Sequence, residues 1–129
     1  MSEKEDAMVK KWTDLGLLDL DQWGIRCDDG WTDLIDKCLQ ELYDYKVAHM
    51  EKLKVQCIKE KFGGLRVYCN AYNDEIGAIE GKYCELASHT CEVCGIVADD
   101  VKVGGKMWLK CMCPKCKEEI NNRFKRFEE

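Results

Sequence analysis

Two short cysteine pairs constrain this chain more than any other feature: Cys91-Glu92-Val93-Cys94 and Cys113-Pro114-Lys115-Cys116, separated by eighteen residues. A two-residue turn lets both sulfurs of a pair face one ion, and two such turns complete a tetrahedron of thiolates. The spacing therefore predicts a Zn2+ site on Cys91, Cys94, Cys113 and Cys116. Four thiolates leave no open position at which water is activated, so the predicted ion is structural. It would supply folding free energy to a segment too small to have much core of its own. A rubredoxin-like iron site and a redox dithiol pair are the competing readings. Cys111 is an alternative ligand, disfavoured because it opens a one-residue spacing to Cys113.

Spacing matters because the chain has ten cysteines, enough for a disulfide framework in a secreted protein. The opening stretch from Met1 to Lys11 is charged and lacks a signal-like apolar core, and no later run approaches the eighteen apolar residues of a membrane span. We therefore expect a cytoplasmic protein, in a host cell if the chain is phage-encoded, whose remaining cysteines are free. Cys27, Cys38, Cys57, Cys69 and Cys84 read as buried thiols. His49 and His89 are isolated; His89 stands close enough to Cys91 to touch the metal shell, but a surface or capping role fits each better.

The 129 residues suit one domain, or one domain with a small appended module. Met8, Trp12 and Leu15 predict a short first helix that Gly16 weakens, and an ordered connection with the Asp28-Asp29-Gly30 turn signal follows. From Trp31 the apolar stripe of Leu34, Ile35, Cys38, Leu39, Leu42 and Tyr45 predicts a long helix to about Met50, capped by Asp29 or Thr32. Extended runs on either side of Phe62-Gly63-Gly64-Leu65 predict a hairpin with a Gly-Gly loop. Pairing Phe62 with Leu65 puts Gln56, Ile58, Glu60, Phe62, Leu65, Val67, Cys69 and Ala71 on a core face. Val55, Cys57, Lys59, Lys61, Arg66, Tyr68, Asn70 and Tyr72 fall on the other. Glu60 then needs a partner, or a strand end that reaches water.

Ile76, Ile79, Tyr83 and Leu86 predict a third helix across 73–88. A shorter hairpin around Gly104-Gly105, with Trp108 and Leu109 on its return strand, should lie between the cysteine pairs. Pro114 suits the first turn of a closing helix bearing Cys116, Ile120, Phe124 and Phe127. The expected fold class is α+β: helices packed on a β-hairpin, with a C-terminal zinc-ribbon-like module and closing helix. Residues 1–89 form the body (hairpin 53–72, helix 73–89) and 90–129 the module, packed as one unit.

Three segments together resemble a largely uncharacterised small-protein family of phages and prophage regions. They are Asp29-Gly30-Trp31 followed by Leu34-Ile35; Gln56 to Tyr68, reading QCIKEKFGGLRVY; and Ser88 to Gly95, reading SHTCEVCG, with a tryptophan and a final cysteine pair beyond. The resemblance covers about residues 30 to 116. It implies a phage-type accessory protein with a terminal zinc motif and no catalytic activity. Related sequences sometimes complete the last ligand pair with histidine, where this chain has Cys116.

A net charge of −5 disfavours purely charge-driven binding to a phosphate backbone. The charge is uneven: residues 1–50 carry six basic and twelve acidic side chains, and Lys102 to Glu129 carry eight basic and four acidic. Lys59, Lys61, Arg66 and Tyr68 form the candidate partner-binding set, on a strand face able to grip an anionic surface. No phosphate-binding glycine loop, nucleophile with its base or open metal site is written in the sequence. The leading expectation is a non-enzymatic accessory protein that binds a host protein, as an inhibitor of a nucleic-acid-handling or antiviral defence system. The alternative is sequence-tolerant nucleic-acid binding by the basic hairpin face and the basic closing helix.

Overall fold

The computed structural model describes residues 2–104 and 109–128, with side chains of the last helix as far as Arg123. Helix α1 (Glu3–Asp14) begins at Ser2, whose hydroxyl accepts from the Glu5 amide at 3.1 Å, and it buries Met8 and Trp12. The face ends there: Leu15 lies in the terminating turn and is exposed, and Gly16 reverses the chain at φ 82°. Helix α2 (Thr32–His49) buries Ile35, Cys38, Leu39 and Leu42. The predicted cap on α2 is corrected. A 3-10 turn over Asp29–Trp31 feeds it, and neither Asp29 nor Thr32 caps it with a side chain. Helix α3 (Asp74–Ala87) is capped by Asn73, whose Oδ1 accepts from the Ile76 amide at 2.9 Å; it buries Ile76, Tyr83 and Ala87, while Leu86 is exposed.

The main hairpin pairs β2 (Val55–Lys61) with β3 (Gly64–Cys69). Its loop is Phe62-Gly63, not Gly63-Gly64, and both residues have positive φ, 53° and 81°. That backbone suits the right-handed twist of the strands, and it moves the register by two residues so that Glu60 faces Leu65. A shift of two leaves every side chain on its predicted face. Two places depart from that pattern. Phe62 sits in the turn and is exposed, and an irregularity between Val55 and Cys57 turns Val55 into the core and Gln56 outward.

Sequence periodicity gave no warning of β1 (Ile25–Arg26), which pairs in parallel with β2 through Ile25–Ile58 and Arg26–Lys59. The order β1-β2-β3 makes β2 central. Upstream, the Leu17 carbonyl accepts from the Val55 amide and the Asp19 amide donates to the Val55 carbonyl, so the connection runs beside β2. The inner sheet face, Ile25, Ile58, Leu65 and Val67, joins Trp31, Ile35, Leu39, Leu42 and Ile76 in one core.

A second hairpin pairs β4 (Lys102–Gly104) with β5 (Lys110–Met112) and leads into α4 (Pro114–Glu128). Gly104 belongs to β4, facing Lys110, and Leu109 is exposed ahead of β5. Gly105 and Trp108 lie outside the described residues, as do the side chains of Phe124 and Phe127. The chain is thus mixed α+β with four helices and two small sheets among the described residues. None of the described helices is long and apolar enough to cross a membrane.

Candidate metal centre

The sulfurs of Cys91, Cys94, Cys113 and Cys116 lie within 4.8 Å of one another, the only such group of three or more potential ligands among the described residues. Cys94 and Cys113 Sγ are 3.8 Å apart. Four thiolates about 2.3 Å from one ion have tetrahedral edges of about 3.8 Å, so the cluster has the dimensions of a metal tetrahedron. All ten cysteines are free thiols.

Local structure aims each sulfur. In the first pair the Gly95 amide donates to the Cys91 carbonyl at 2.9 Å, closing a turn that glycine completes at φ 83°. The Cys91 amide donates to the Ile96 carbonyl. In the second pair Cys113 precedes Pro114, the first residue of α4, and Cys116 lies in that first turn. Free amides and the positive end of the helix dipole favour thiolates there. Burial pushes the Cys91 thiol up, but backbone amides of Cys94, Cys113 and Val93 outweigh it and bring it down to about 7. Cys116 is raised, first by burial and then by the neighbouring thiols. Four thiols so close cannot all ionise without a cation among them, which is the electrostatic demand that a divalent ion meets.

Cys91, Cys113 and Cys116 are buried, whereas Cys94 is exposed. Cys111 is not part of the cluster: its thiol donates towards the Ala87 and Ser88 carbonyls at 3.4 Å, and its own carbonyl accepts from the Glu92 amide at 2.8 Å. His89 pairs with Glu85 at 3.3 Å on the surface, and His49 packs on Tyr45.

A segment that sequence spacing did not link to the metal holds the first cysteine pair in place. The Gly30 amide donates to the Glu92 carbonyl at 2.7 Å, and Trp31 Nε1 donates to the Thr90 carbonyl at 2.9 Å. A Cβ on Gly30 would stand 2.3 Å from the carbonyl oxygens of Cys91 and Glu92, so only glycine allows this approach. Between the two cysteines, Glu92 is buried; its Oε2 accepts from the Asp28 amide at 2.9 Å, and Oε1 has no partner among the described residues. Burial raises its carboxyl to about 7. Asp28 is also paired with Lys110 of β5. The Asp-Gly-Trp motif at 29–31 is therefore the seat of the cysteine turn, a role that separation of some sixty residues hides.

The module also meets the sheet: a Cβ on Gly63 would lie 2.6 Å from Val103 of β4. Glu60, the carboxylate on the core face, accepts from the Gly63 amide at 2.6 Å and so ties down the hairpin turn. The other thiols serve packing. Cys84 Sγ donates to the Leu65 carbonyl at 2.8 Å, and burial raises the Cys27, Cys38, Cys69 and Cys84 thiols out of the reactive range. Trp12 and Trp31 are core anchors, whereas Trp23 is 65% exposed.

Lys59, Lys61, Arg66 and Tyr68 do share the outer face of the main hairpin. Lys59 stands directly opposite Arg66 and, on its other side, in register with Arg26 of β1. Arg26 completes a row of three cations across three strands, and the missing strand is why the sequence did not reveal it. Its Nη2 lies 3.2 Å from Cys57 Sγ and 3.7 Å from Asp21. Lys59 lies over the ring of Tyr68, 5.8 Å from its centre. Compared with models of known protein families, with curated proteins and with solved structures, the chain matches none.

Proposed function

We propose that this chain is a non-enzymatic, zinc-stabilised accessory protein of phage type that binds a host protein through an acidic surface patch on that partner. The row of Arg26, Lys59 and Arg66, with Lys61 beside it, carries the reading. Like charges placed opposite one another on neighbouring strands cost stability, so a fold that lines them up concentrates positive potential without gaining cohesion. No carboxylate among the described residues forms an ion pair with Lys59 or Lys61, which leaves both free for charge-assisted hydrogen bonds. Tyr68 adds an exposed ring with a polar tip, a residue type enriched at interfaces.

Zinc is the ion proposed for the four thiolates, in a zinc-ribbon-like module. Soft ligands, tetrahedral spacing and a closed shell support it, and elemental analysis should return one zinc per chain. The phage setting rests on the resemblance of the three motif segments, and inhibition of a nucleic-acid-handling or antiviral defence protein is the role proposed within it. A tagged copy purified from host cells should retain a stoichiometric partner that the double variant Lys59→Glu, Arg66→Glu loses while keeping its zinc. Equal recovery with both proteins overturns the reading.

A second reading, sequence-tolerant binding of nucleic acid, is favoured by the closeness of Lys59 to the exposed ring of Tyr68, since bases stack on such rings beside cations. It requires binding of a single-stranded oligonucleotide that weakens steeply with added salt. A flat titration at low salt with zinc confirmed in the protein removes it.

A further inference from the structure

A cavity whose lining includes none of Arg26, Lys59, Lys61, Arg66 and Tyr68 lies beside the cysteine turn. It has a volume of about 580 Å³ and opens between α1, the Cys27–Asp29 loop, the cysteine turn and α4. That size falls within the roughly 300–1,000 Å³ of small-molecule pockets. Glu5, Asp28 and Asp29 line one part of it, and Val93 and Ile120 supply apolar wall.

Glu5 is the informative residue. It is 2% exposed, lines the cavity, and its carboxylate accepts no hydrogen bond and joins no ion pair among the described residues. Position and sequence offer it an obvious partner. Ser2 caps α1 by accepting from the Glu5 amide, and a glutamate three residues after such a cap ordinarily accepts from the cap residue's own amide. That reciprocal bond is not made, and the side chain faces the cavity instead. Burial, and then Asp29, raise the Glu5 carboxyl. The fully enclosed oxygen without a partner among the described residues is Glu92 Oε1, so the Glu5 oxygens keep a narrow opening to the cavity, through which a cation can reach them.

We infer that this cavity binds the side chain of an arginine presented by a basic protein segment, with the guanidinium on Glu5 and Asp29 and the methylene stem along Val93 and Ile120. The chemistry selects that occupant. A bare metal ion needs ligands in one tight shell, and the four sulfurs are the only group that close among the described residues. A guanidinium spreads its charge over a planar fork that bridges carboxylates farther apart, and its stem suits apolar wall. Lys110 on the same cavity is engaged with Asp28, while Arg123 of α4 stands exposed at the rim and competes for the carboxylates. This site is separate from the sheet face and does not depend on the identity proposed for that partner.

The test is an amide NMR titration of the full, metal-loaded chain with N-acetyl-arginine methylamide, set against the citrulline analogue, which has the same shape without the charge. Saturable shifts are expected at the first turn of α1 and at residues 27–30, with arginine about tenfold tighter than citrulline. Glu5→Gln and Asp29→Asn should each abolish most of that preference, and Arg123→Ala should increase affinity. Asp29 is exposed, so its variant keeps the test valid if the Glu5 variant proves unstable. Shifts that do not saturate, equal binding of citrulline, or an unchanged preference in the Asp29 variant each overturn the inference.

Discussion

The body and the metal module are held together by different forces. In residues 2–89, Trp12, Trp31, Ile35, Leu39, Leu42, Ile58, Leu65 and Ile76 form a continuous apolar core. Beyond Thr90, four of the buried apolar residues are metal-site or neighbouring thiols, Cys91, Cys111, Cys113 and Cys116, joined by Val101 and Met112. Hydrophobic burial stabilises the first region. The second has four thiols placed to hold an ion, and contacts to the Gly30 segment; on the proposed zinc reading, the ion supplies what its small core lacks. On that proposal, cooperativity between them is conditional on the metal.

Chelation tests that contrast most severely. Removing the ion should unfold β4, β5 and the start of α4 while α2 and the main hairpin keep their amide protection in hydrogen exchange. Structural zinc sites contribute about 10–16 kcal/mol in small domains, more than this module can replace. Uniform loss of protection in both regions breaks the comparison.

Leu39→Ala addresses the body instead. A fully buried leucine truncated to alanine costs about 2–5 kcal/mol, and denaturant unfolding should show that loss with zinc content unchanged. Gly30→Ala probes the joint and should cost about 1–3 kcal/mol, because a Cβ there meets two carbonyl oxygens at 2.3 Å. Its signature is specific: faster exchange at residues 90–97 before any change in the sheet.

The smallest effect concerns Glu80, whose carboxyl is raised by burial, against a hydrogen bond with Cys69. Folded chains then hold that proton more readily than unfolded ones, so stability from this group is full below the ordinary carboxylate value and is lost as pH rises through the folded one. Glu80→Gln should stabilise the body by about 0.5 kcal/mol at pH 7, a gain that thermal melts should show vanishing near pH 4.

Local patterns were legible and distant ones were not. The cysteine quartet could be read because each pair is a turn that sets its own geometry. Hairpin faces survived a wrong loop because the error in register was even, whereas Val55 was misplaced by an irregularity that alternation cannot show. Strand β1 has two residues and no period, so Arg26 was missed with it. Nothing in the spacing linked Asp29-Gly30-Trp31 to Thr90-Cys91-Glu92, since the bonds joining them end on main-chain carbonyls that every sequence has, one from the Gly30 amide and one from the Trp31 indole. Glu5 looked like an ordinary charged residue of a first helical turn until its cavity was visible.

The approach of Gly30 to Glu92 sets how this architecture can diversify. The joint is closest where backbone lies against backbone, and its side-chain links are the inward Trp31 and Glu92 and the Asp28–Lys110 pair. It fixes the angle between the two parts while asking little of the side chains on the outer sheet face. The charges on the sheet can therefore change without disturbing the joint, and the orientation of that face relative to the cysteine turn stays put as long as one hydrogen atom is never replaced by a methyl.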